Sequence, residues 1–145
     1  MNPVRVKKLH PSATLPTYGS AEAAGADLYA CLEAPVTVQP GETAWIGTGI
    51  ALEVPVGCAG LVYARSGMAA KRGLAPANKV GVVDSDYRGE IKVVLLNHGT
   101  QPQTVEHGER IAQFVITPVL MPAYQEVEEL TDSQRGTGGF GSTGA

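Results

Sequence analysis

The residues Gly81 to Glu90, GVVDSDYRGE, set two carboxylates, a phenol ring and a guanidinium inside one turn bracketed by glycines. Gly81-Val82-Val83 reads as the end of one strand and Ile91 to Leu96, IKVVLL, as the start of the next, so a polar hairpin between stiff arms holds Asp84, Asp86 and Tyr87 in fixed geometry. A carboxylate held this way acts as a base or binds a metal. Arg88 and Glu90 flank the turn and are placed to brace it by ion pairing rather than to touch a substrate.

Four further segments carry chemistry-bearing residues. The tail from Arg135, RGTGGFGSTGA, formally contains G-x-G-x-x-G, but the dinucleotide fingerprint needs a strand before it and a helix after it, and the sequence stops at Ala145. What remains is local physics: glycines let N–H groups approach phosphate oxygens, Gly141, Ser142 and Thr143 add donors, Arg135 a bidentate fork and Phe140 a stacking face. The competing reading is a frayed terminus; the arginine and the aromatic point to an arm that closes on a ligand. Arg65-Ser66-Gly67, at a strand-to-helix junction, makes an anion cradle, unless Ser66 merely caps the helix. Asp27, in AGADLYA, reads either as a turn-capping acid or as part of a site. Gln113 sits in the apolar strand of GERIAQFVITPV, where its amide must find either a structural partner or a ligand.

The elements that must position these residues are read from alternation and β-branching: strands over Val4 to Leu9, Pro35 to Val38, Thr43 to Val54, Ala59 to Ala64, Lys79 to Val83, Ile91 to Leu96, Gln103 to Val105, Arg110 to Val119 and Ala123 to Val127. Turn residues separate them at short intervals, which predicts an all-β sandwich, barrel or jelly roll. Only Arg65 to Arg72 has the composition of a short helix. Trp45 is expected in the core or at a subunit contact.

Composition narrows the function classes. A chain of 145 residues is one domain's length and buries about 68–70% of its unfolded surface. The net charge of -3, with 11 scattered Lys and Arg, lacks the basic stripe that nucleic acid requires. There is no apolar run of about 20 residues to cross a membrane and no secretory pattern after Met1 to Leu9, so a soluble, cytoplasmic protein is expected. Cys31 and Cys58 lie outside any metal-ligand spacing and are read as two small buried thiols. No P-loop, H-E-x-x-H or nucleophile elbow is present, and His10, His98 and His107 are read as loop residues with surface roles.

Taken in order, AGADLYA, ARSGMA, NKVGVVDSDYRGE, GERIAQ and RGTGGFGSTG resemble the five motifs of the trimeric dUTP diphosphatase (dUTPase) family across nearly the whole chain. The third and fifth are the specific ones. The resemblance implies a distorted jelly-roll subunit spanning 1–133, a flexible arm over 134–145, and a homotrimer with active sites shared between subunits. It implies hydrolysis of dUTP to dUMP and pyrophosphate with Mg²⁺ by water attack at the α-phosphate, which keeps uracil out of DNA and supplies dUMP for dTMP synthesis. Carried onto this sequence, Asp84 is the general base, and Tyr87 excludes the 2'-hydroxyl. Asn78 with backbone groups of Val82, Val83 and Lys92 reads uracil, on which Phe140 stacks. Arg65, Ser66, Gly67 and Gln113 hold phosphates, Arg135, Gly141, Ser142 and Thr143 close over them, and Asp27 reaches the metal only through water.

Two other readings are carried. A dCTP deaminase shares the fold and would need a glutamate base, for which Glu90 is the one acid of the hairpin available. A β-sandwich module that binds without catalysis, its tail merely disordered, is the alternative from another class.

Overall fold

A computed structural model describes residues 2–144, so the arm is described as far as Gly144 while Ala145, like Met1, lies outside the described residues. Twelve strands and one helix follow in the order β1 (Val6–Lys8), β2 (Thr17–Tyr18), β3 (Ala26–Tyr29), β4 (Val36–Val38), β5 (Thr43–Gly47), β6 (Ile50–Leu52), β7 (Cys58–Tyr63), α1 (Ser66–Arg72), β8 (Leu74–Pro76), β9 (Gly81–Val83), β10 (Lys92–Asn97), β11 (Gln103–Val105) and β12 (Arg110–Pro118). They form a five-stranded sheet, β2-β3-β12-β7-β9, a three-stranded sheet, β5-β10-β8, and two-stranded ribbons β1-β6 and β11-β4, every pair antiparallel. The all-β jelly-roll class is that of the structure.

One apolar cluster joins these layers. Leu28 and Phe114 enter it from the five-stranded sheet, Ile46 and Leu95 from the three-stranded sheet, and Ile50 and Val105 from the ribbons. Strand β10 shows the cause: Val93, Leu95 and Asn97 are buried while Lys92 is exposed, the period of two that a pleated strand imposes. Fully burying one such Ile or Leu side chain contributes about 1.5–3 kcal/mol. The ring of Phe114 lies over Gly60 of the neighbouring strand β7, where any Cβ would collide with it.

The structure departs from the alternation reading in several places. The expected long strand Thr43 to Val54 breaks at Thr48-Gly49: the Thr48 hydroxyl donates to the Ile91 carbonyl at 2.6 Å, and Gly49 turns through φ +67. Strands β2 and β8 carry too few residues, one with a proline, to show an alternation. The helix begins one residue later than expected, with Arg65 as its N-cap and no side-chain capping bond, so Ser66 does not cap it. Ala123 to Val127 forms no strand; the segment 120–130 is exposed throughout and has no partner in this chain with which to build a ladder. Gly81–Val83 and Lys92–Asn97 do not pair with each other: the first pairs with β7, the second with β5 and β8, so the residues between them link two sheets instead of closing a hairpin. Trp45 is 71% exposed and is no core residue, and Cys31 and Cys58 are free but only partly buried.

Buried Asn97 clamps the layers, its amide donating to the carbonyls of Val38 at 2.9 Å and Gln101 at 2.8 Å and accepting from the Gly99 N–H at 2.9 Å. Asn97→Ala leaves these groups unpaired, and urea denaturation at fixed protein concentration is expected to show about 2–3 kcal/mol less stability.

Candidate active site

A cleft of about 420 Å³ opens where the two sheets are linked, and Asn78, Val82, Val83, Asp84, Tyr87 and Lys92 all line it. The link is anchored at both ends. Val83 sits opposite Gly60 in β7, and Ile91 is held between its neighbours, its N–H donating to the Ile50 carbonyl at 2.9 Å and its carbonyl accepting from Thr48. Between these anchors the Tyr87 N–H donates to the Asp84 carbonyl at 3.2 Å, and the Arg88 guanidinium donates to the carbonyls of Ser85 and Tyr87 at 2.8 and 3.0 Å. Asp84 thus projects from a turn with little freedom, exposed to water.

Arg88 and Glu90 do not pair with one another. Arg88 braces the turn through its own carbonyls and lies 3.9 Å from Glu53, whose carboxyl a hydrogen bond from Arg5 holds below its usual range. Glu90 faces Lys92 at 3.7 Å, and its carbonyl accepts the Tyr87 hydroxyl at 2.9 Å. The Tyr87 ring rests on Gly89, where a Cβ would come within 2.6 Å of Cζ, so this glycine is what lets the phenol fold across the turn. Asn78 reaches the cleft from a tight turn in which Lys79 takes φ 67.

A second cluster lies elsewhere on the chain. Asp27, 7% exposed, accepts from Arg65 Nε at 2.8 Å and faces Arg110 at 3.6 Å, so it is an ion-pair partner and not a turn cap. Because Nε makes that bond, the terminal nitrogens of Arg65 keep their donors, and among the described residues no hydrogen bond engages them. Gln113 stands directly across from Asp27 and from Tyr63 in register, which puts it on the same face, its amide against Gly25. Ser66 and Gly67 open α1 beside Arg65, with exposed side-chain and backbone surface. Arg110 carried no expectation from sequence; its place one strand from Asp27 became visible only through the β3–β12 pairing.

The two clusters do not meet. Continuing the β7–β9 register, Asp84 falls opposite Ala59, six residues before Arg65, or roughly 20 Å along an extended strand. The arm stands apart from both: Phe140 is fully exposed, Arg135 Nε donates to the Gly138 carbonyl at 2.6 Å, and among the described residues the arm's backbone hydrogen bonds are turns within itself.

Among the described residues no group of three or more His, Cys, Asp or Glu is disposed to hold a metal. The donor set still fits a hard, hydrated cation carried by phosphates, since Asp27 offers carboxylate lone pairs to water beside an arginine fork. No helix among the described residues is long and apolar enough to cross a membrane.

Comparison with known proteins agrees over this whole length. The dUTPase family model matches residues 11–144. The deoxyuridine 5'-triphosphate nucleotidohydrolase of Syntrophotalea carbinolica is 48% identical over 141 residues, covering 97% of this chain and 96% of that one, and that of Desulfitobacterium hafniense strain DCB-2 is 47% identical over 149 residues, 99% of each. Among solved structures, the Staphylococcus bacteriophage 80alpha dUTPase with dUpNHpp superposes with a TM-score of 0.91 at 30% identity and complete coverage of both chains. A variant of the phage phi11 dUTPase, described with a structural Mg(II) ion, does so at 0.82 and 25% identity over 90% of this chain and all of that one. The chain belongs to the dUTPase family.

Proposed function

We propose that this family member hydrolyses dUTP to dUMP and pyrophosphate in the cleft around Asp84, whose carboxylate takes a proton from the water that attacks the α-phosphorus. An exposed carboxylate on a turn anchored at both ends is the group in the cleft suited to that task. Asn78 and the backbone of Val82, Val83 and Lys92 face the uracil edge, and a polar site built for that edge leaves unpaired groups when cytosine enters. The Tyr87 ring, fixed by its hydroxyl and by Gly89, takes the space a 2'-hydroxyl needs, so ribonucleotides are refused by a clash. The deaminase reading is not favoured, because the matching family model is dUTPase and the relatives are named deoxyuridine 5'-triphosphate nucleotidohydrolases.

The phosphates are held by the free fork of Arg65 together with Ser66, Gly67 and Gln113. The arm over 134–145 closes on them, with Arg135, Gly141, Ser142 and Thr143 as donors and Phe140 stacked on the base. Mg²⁺ bound to the triphosphate supplies charge neutralisation at the phosphoryl oxygens. Asp27 serves by accepting a hydrogen bond from its water and by aiming Arg65.

The observation that carries this reading is the separation of the base cluster from the arginine cluster along β7. Their distance favours a composite site in which neighbouring copies supply the two clusters, and the family resemblance makes that assembly a homotrimer; neither nucleic acid nor membrane is proposed as a partner. The exposed side chains of Leu120 (94%), Tyr124 (97%) and Leu130 (87%) have the apolar surface that a neighbouring copy covers. Its compartment is that of its deoxynucleotide substrate, the cytoplasm.

Asp84→Asn is expected to lower kcat by about 10²–10⁴-fold in a pyrophosphate-release assay while dUpNHpp still binds; unchanged turnover refutes the base assignment, and a parent enzyme that binds dUpNHpp but releases no pyrophosphate from dUTP is a binding module. Asp84→Asn and Arg65→Ala chains, each inactive alone, are expected to regain about a quarter of parental activity when refolded together in equal amounts, the fraction of sites that receive both intact residues on random mixing. A mixture that stays inactive contradicts the composite site. Truncation before Arg135 is expected to leave the fold intact by circular dichroism and kcat/KM lower by about 10²-fold or more.

A further inference from the structure

We infer that Trp45 belongs to the nucleotide site as the apolar wall against which base and sugar pack, facing the Gly81–Val83 side of the cleft; the inference rests on the Asp84 cleft being that site. Trp45 is the only tryptophan of the chain. It stands on β5 directly across from Val94, and the alternation that buries its neighbour Ile46 turns the indole outward, where it is 71% exposed.

That exposure does nothing for the fold. The β5–β10 pair is held by Ile46 and Val93 beneath it, and an indole left in water forgoes the burial of about 150–250 Å² of mostly apolar surface. The same side chain lines the one cleft that holds Asn78, Asp84 and Tyr87 together. A nucleoside offers a flat π face and the carbon skeleton of a deoxyribose, and no other aromatic shares the cleft except Tyr87, which is committed to Gly89 and the Glu90 carbonyl. An occupant with those two features is the ligand the wall fits. The indole is not among the groups assigned to water or phosphate, so its contribution is the same in the ground state and the transition state and belongs in KM.

The test uses the full-length enzyme with Mg²⁺. Titration with dUpNHpp, followed by tryptophan emission, is expected to give a saturating change whose midpoint matches inhibition of dUTP hydrolysis. Trp45→Ala is expected to raise KM about tenfold with kcat within about twofold and the assembly mass unchanged, and Trp45→Phe to recover most of the loss. Emission indifferent to dUpNHpp, or a Trp45→Ala enzyme whose assembly mass falls as kcat and KM fail together, overturns the inference and assigns the indole to a contact between copies. Asn78→Ala and Tyr87→Ala separate the two levels. If they weaken dUpNHpp binding while Trp45→Ala does not, only the role of Trp45 fails; if none of the three does, the cleft itself is not the nucleotide site.

Discussion

Strand β7 decides what this chain is able to do alone. Its early residues pair with β9 and so fix Asp84 at one end, and its far end runs through Tyr63 into Arg65 and α1 at the other. The strand is antiparallel to both neighbours and packed over Phe114, so the sheet fixes the spacing of the two backbone points from which carboxylate and guanidinium project. Flexing a loop does not close a gap set by a five-stranded sheet. In the proposed trimer the gap becomes the reason for assembly: base and phosphate grips are built on different copies, and catalysis appears only when they are docked.

The turn that bears Asp84 is stiff for a different reason. Its ends belong to two sheets packed across one core, so its end points are fixed relative to each other. Within it, hydrogen bonds from Arg88 occupy the Ser85 and Tyr87 carbonyls, and the Tyr87 hydroxyl closes on Glu90. These are exposed bonds of modest individual worth, about 1 kcal/mol each. Their value lies in removing alternative conformations of a short segment, which is the preorganisation a base needs to meet water at the correct angle.

What the sequence disclosed follows from which forces are local. β11 was legible residue for residue over Gln103–Val105, and β10 within one residue, because alternation and β-branching report burial on one face. Which strand pairs with which is set by the packing of distant residues, so the flanks of the Asp84 turn were recognised as strands while their partners were not. The segment Ala123 to Val127 has the composition of a strand but no ladder within this chain, and strandness without a partner is not a property one chain expresses. Of the two places expected for Trp45, the core is excluded, since its parity with Ile46 puts it on the outer face. Most residues of the candidate site came from a motif resemblance; the folded chain brings Asn78 and Lys92 to the same cleft as Val82, Val83, Asp84 and Tyr87, while Phe140 stands apart from it.

The pairing of Asp27 with Arg65 shows how two such residues acquire one role. A carboxylate 7% exposed is costly unless its charge is answered, and Arg65 and Arg110 together answer it with more positive charge than it carries. The excess is the useful part. Bonding through Nε holds the Arg65 guanidinium against Asp27 and leaves its terminal nitrogens without a hydrogen bond among the described residues, so the fork is restrained before any anion arrives. A lone arginine at the mouth of α1 would have to lose several rotamers on binding a phosphate; this one has lost them on folding. In the proposed site Asp27 therefore strengthens the phosphate grip from behind, without a direct contact to the nucleotide, and its own burial is stabilised by the residue it orients.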